Sequence, residues 1–74
     1  MDNEFNLDEA NRLVRNALVE IDALAEQIPP ARSSALLDEF ERDIRDGFML
    51  KSMPVVAATC HEYVRRFREL AAVK

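Results

Sequence analysis

In 74 residues the chain holds one glycine, one cysteine, one histidine and three prolines, and each scarcity excludes something. A lone cysteine, Cys60, rules out an internal disulfide and any multi-cysteine zinc site. One glycine cannot build a glycine-rich phosphate loop. Cys60 and His61 are chain neighbours, so on a helix they point about 100° apart and cannot grip one ion. There is no second histidine and no Glu-x-x-His pair. No metal and no cofactor are expected.

Long apolar runs are missing too. None approaches the roughly 18–20 residues of a membrane span, and helices rich in acid do not suit a membrane surface. The opening Met1-Asp2-Asn3-Glu4 is acidic where a secretory signal is basic. A lone thiol suits a reducing compartment. The expectation is a small cytoplasmic protein with no membrane partner, from a bacterium or from phage or plasmid genes.

Apolar residues, by contrast, make up 49% of the chain. A domain this small hides only about 60% of the surface its unfolded chain exposes. Without disulfide or metal, it depends on good helix packing or on a second subunit. The net charge of −4 is unevenly spread. Residues 1–30 carry −5, residues 31–50 carry −2, and residues 51–74 carry +3. That asymmetry suits an acidic helix lying beside a basic one. Overall acidity makes a poor non-specific binder of nucleic acid, whose affinity comes largely from phosphate neutralisation.

Because breakers are few, organisation is easy to read. Pro29-Pro30 divides the chain once and Gly47 to Pro54 divides it again, while no segment alternates with the period of a strand. Three helices are expected, over about 7–28, 31–47 and 53–73, in one domain spanning 1–74. For the first, Asn6 is the cap, Glu9 its capping-box partner, and Phe5 with Ala10 a hydrophobic staple. Its apolar arc, from Leu7 through Ala10, Val14, Ala17, Ile21 and Leu24 to Ile28 and joined by Leu13, Leu18 and Ala25, is about 140° wide, with Val19 and Ala23 on the wrong side.

The second helix carries Leu36, Leu37, Phe40, Ile44 and Phe48 on one face. Asp38–Arg42 and Glu41–Arg45 are i,i+4 pairs in the favourable order. Continued further, it would point Met49 and Leu50 into its charged face, so Gly47 reads as a left-handed cap. Ser52 caps the third helix, whose apolar arc is Val56, Ala57, Cys60, Tyr63, Val64, Phe67, Leu70 and Ala71. Short connections between similar helices make an all-α, up-down-up three-helix bundle, alone or as a helical homodimer.

No catalytic constellation is found. Cys60 falls in an apolar arc, where a thiol behaves as a small hydrophobe, and His61 falls outside it. The acids of the second helix are laced with Arg42 and Arg45 on a solvated face, and Ser33, Ser34 and Ser52 sit at helix starts. No enzyme is expected.

Three surfaces remain. Phe48, Met49, Leu50, Met53 and Val55 form a connection too apolar for an ordinary loop. They read as a docking patch for a larger protein partner, or as a corner tucked over the bundle end. Leu13, Val14, Ala17, Leu18, Ile21 and Leu24 are a candidate seam for a two-fold dimer. His61, Arg65, Arg66 and Arg68 make a basic flank, the basis of an alternative reading as a dimeric helix-turn-helix-like DNA-binding regulator. Nucleic acid is the weaker partner. The connection is longer than the motif's 3–4 residues, and the third helix begins Pro54-Val55-Val56-Ala57-Ala58, with no donors to read bases. The leading expectation is an interaction module that inhibits or escorts a larger protein.

Overall fold

The computed structural model describes residues 5–73. Three helices follow one another: α1 (Leu7–Ala25), α2 (Pro30–Met49) and α3 (Met53–Ala72). They form an up-down-up bundle. Arg68 pairs with Glu20, late residues of α3 and α1, so those helices run parallel. Tyr63 of α3 bonds Asp43 of α2 while Arg66, later in α3, pairs with Glu39, earlier in α2, at 3.7 Å, so those two run antiparallel.

Both α1 and α2 pack extensively on α3 but touch each other sparsely. The third helix is therefore the shared wall of the core. Ala10, Ala17, Ile21 and Ile28 meet Leu36, Phe40 and Ile44 around Val56, Cys60, Tyr63 and Phe67. Phe40, Phe67, Ile21 and Val56 are the largest side chains fully enclosed. The apolar arcs thus fill one core, with Leu7 at 55% exposure and the exposed Ala57 as exceptions and Val19 on the outside at 68%.

Local chemistry sets the helix ends. The Asn6 side chain accepts from Glu9 N at 3.0 Å, so half of the expected capping box forms. Glu9 turns its carboxylate to Arg12 instead of back to the cap. The Phe5 ring meets Phe48 edge-on at 5.7 Å, which ties the start of α1 to the end of α2. Ser52 caps α3 as expected, accepting from Val55 N at 3.3 Å. Ser33 does not cap α2; its hydroxyl donates to the Pro30 carbonyl at 3.2 Å.

Two boundaries differ from expectation. The first helix stops at Ala25, and Gln27 and Ile28 close tight turns onto Leu24 and Ala25. A residue before proline is biased away from the helical region, so Ile28 leaves the helix yet stays buried. The second helix runs past Gly47 to Met49. The left-handed residue is Lys51, at φ 53°. Lys51 N donates to Phe48 O at 3.0 Å and Ser52 N to Gly47 O at 3.2 Å, the two bonds of a Schellman ending. Met49 and Leu50 meet their polar surroundings by standing in solvent.

A lysine in the left-handed region costs about 1–2 kcal/mol, and glycine avoids it at the expense of more unfolded-state entropy. Lys51→Gly is expected to stabilise the fold by about 0.5–1 kcal/mol in a urea titration. Destabilisation there would contradict the Schellman assignment.

Neither Asp38–Arg42 nor Glu41–Arg45 closes as an ion pair among the described residues. No helix among them is long and apolar enough to cross a membrane.

Candidate functional site

The topology gathers the start of α1, the end of α2 and the start of α3 at one end of the bundle. Beneath the surface there, Phe5, Phe48 and Met53 are half-buried against the core. Above them stand Met49 at 74% exposure, Leu50 at 69%, Leu7 at 55% and Val55 at 37%. The five candidate docking residues therefore split. Phe48 and Met53 form the base, and Met49, Leu50 and Val55 the exposed layer. Leu7, missed because its spacing matches the core arc of α1, belongs to the same end.

The Schellman turn holds this layer in place. Leu50 N donates to Asp46 O at 2.9 Å, and the next two amides return to Phe48 and Gly47, so the backbone under Met49 and Leu50 is bonded within the corner. The apolar side chains are presented on an ordered turn. Isolated exposed apolar residues need no explanation; Met49 and Leu50 are instead consecutive on one turn.

The dimer seam also divides. Ala17 and Ile21 are buried within the chain's own core and offer nothing to a second copy. Leu24 is half-buried against the same core. Leu13 borders a groove of about 400 Å³ between α1 and α3, where Cys60 lies under a rim that includes Glu20, His61 and Arg68. Burial pushes the Cys60 thiol up from its ordinary pKa, which disfavours the reactive thiolate. Val14 and Leu18 face a second groove, of about 350 Å³ and mostly apolar, between α1 and α2.

The basic flank is engaged with acids of the chain. Arg65 donates to Glu62 at 2.8 Å and to Glu69 at 3.0 Å, which lowers the Glu62 carboxyl below its usual range. Arg66 lies 4.9 Å over the Tyr63 ring and pairs with Glu39. Arg68 reaches Glu20. His61 is exposed. The Tyr63 hydroxyl donates to Asp43 at 2.5 Å, and burial, then this bond, raises its pKa. With Phe40 tilted against Tyr63 at 5.4 Å, this cluster ties α2 to α3. Of the arginines spaced like a nucleic-acid flank, Arg66 and Arg68 thus tie α3 to α2 and α1, while Arg65 pairs within its own helix. The sequence hinted at this only through its charge asymmetry.

Among the described residues, no group of three or more His, Cys, Asp or Glu side chains is placed to hold a metal ion. No protein-family model matches the chain, and neither a curated protein nor a solved structure matches it.

Proposed function

We propose that the chain is a non-enzymatic interaction module that docks on a larger protein through the apolar end of its bundle and regulates it, by inhibition or escort. The observation that carries this reading is the pair Met49 and Leu50, 74% and 69% exposed on a hydrogen-bonded turn. Methionine is enriched at interface cores and adapts its shape to a partner's surface. Phe5, Phe48 and Met53 pack against the core at the same end of the bundle.

The ion pairs favour protein over nucleic acid as the partner. Turning Arg66 and Arg68 to phosphates would break their pairing with Glu39 and Glu20, and duplex binding needs several such cations at once. The partner surface expected is an apolar groove or shallow pocket.

Met49→Asp/Leu50→Asp tests the reading in one chain. Both positions are exposed, so far-ultraviolet circular dichroism should be unchanged. Hot-spot residues near an interface centre cost about 2 kcal/mol or more when truncated, so partner capture should fall at least about thirtyfold. Undiminished capture by the folded variant would remove the docking end from consideration.

A further inference from the structure

The groove between α1 and α2 adjoins the bundle end, with Phe48 common to both, and runs along the side of the bundle. Its walls are Val14 and Leu18 of α1 with Ile44 and Phe48 of α2, over Phe40. Its existence follows from the packing: both helices lean on α3 and barely on each other, so their facing apolar side chains close only partway. Two charged side chains, Glu41 and Arg45, stand along the α2 wall. They are one turn apart, yet they do not pair with each other, and among the described residues neither holds a counterion within the chain.

We infer that this groove is the interface of a two-fold homodimer in which α2 of each copy lies antiparallel against α2 of the other. The charges select the occupant. An antiparallel helix pair with its two-fold axis level with Asp43 sets Glu41 of each copy opposite Arg45 of the other, forming two ion pairs by symmetry. A two-fold interface must be complementary to itself, and an acid and a base one turn apart on one wall meet that condition. In the same arrangement, each copy's α2 covers the open side of the partner's groove. Val14, Leu18 and Phe48 from both chains would then close a four-helix seam. A small domain without disulfide or metal gains by adding such a seam to its core.

Of the six seam residues read from the sequence, this interface uses Val14 and Leu18 and leaves Ala17 and Ile21 to the core of each chain. It leaves Leu50 and Leu7 uncovered. The two bundle ends then face opposite ways, so the dimer is bivalent for the partner proposed above, although the inference does not depend on that partner.

Charge reversal tests the register without touching the core, since both side chains are exposed. Sedimentation equilibrium of the wild-type chain, from a few micromolar to several hundred, is expected to show a monomer–dimer equilibrium. Glu41→Arg turns both pairs into arginine facing arginine, and Arg45→Glu turns both into glutamate facing glutamate. Each is expected to weaken the dimer about tenfold or more, with circular dichroism unchanged, and the double reversal should recover most of the loss. A wild-type chain that stays monomeric throughout would overturn the inference. So would a dimer that the single reversals leave intact, or one that the double reversal does not restore.

Discussion

Phe67→Ala is expected to lower the stability of the fold by about 3–5 kcal/mol, the usual cost of emptying an aromatic core position. Phe67 is fully enclosed on α3, the helix against which both others pack. The cavity would open where all three helices meet, and neither α1 nor α2 can move in to fill it without leaving its own contacts. Domains carry roughly 0.05–0.15 kcal/mol per residue, so the whole fold rests on about 4–11 kcal/mol. One substitution would therefore remove about a quarter of the total or more. Urea titration followed at 222 nm measures it, with a large fall in midpoint at nearly constant slope. A loss below about 1 kcal/mol would mean that α3 is not the shared wall.

Gly47→Leu should also be severe, for a different reason. Gly47 is buried inside α2 at the crossing with α3, and a Cβ there would stand 3.1 Å from Val56 Cγ2 and 3.3 Å from Val55 Cγ1. Val56 is fully enclosed and cannot retreat. Helix propensity favours replacing a helical glycine by about 1 kcal/mol, whereas overpacking costs about 1–3 kcal/mol for a modest excess. For alanine the two effects nearly offset. A leucine side chain adds three more carbons at the crossing, so packing wins. The expected net loss is about 2 kcal/mol or more, a fall of roughly 8–16 °C in melting temperature for a domain of this size. Lys51→Gly, four residues on, should shift the melting temperature the other way.

The contrast between these two positions marks where sequence reading stopped. A glycine near a helix end reads as a left-handed cap, since that is the commonest reason for one. Here glycine is needed for close approach of two helices, and the left-handed turn falls to a lysine that the Schellman bonds hold in place. Nothing in a one-dimensional pattern separates these uses of glycine, because the crossing partner lies on another helix.

What periodicity and capping determine was legible. Asn6 and Ser52 cap as read, and Ile21, Phe40, Val56, Cys60 and Phe67 are inside as their spacing requires. Leu7 was assigned to the core because it keeps the spacing. It stands outside since the first turn of α1 lies at the bundle end, where less of the neighbouring helices covers it. Leu24 and Ala17 could not be separated from Val14 and Leu18 as seam residues, because a wide apolar arc does not reveal which of its edges a third helix covers. The exposed corner was the most legible part of the candidate site. Met49 and Leu50 conflict with the pattern of their own helix, and they remain in solvent.

Site-specific photocrosslinking compares that corner with a matched control. Leu50 and Val19 are both aliphatic, and 69% and 68% exposed, but Val19 is isolated on the outer face of α1. A benzophenone side chain placed at either position, in the native host, should report what touches it. One dominant protein adduct is expected at position 50, little at position 19, and loss of the adduct when Met49→Asp is added. Equal labelling at the two positions, or labelling unaffected by Met49→Asp, would contradict a docking role for the corner.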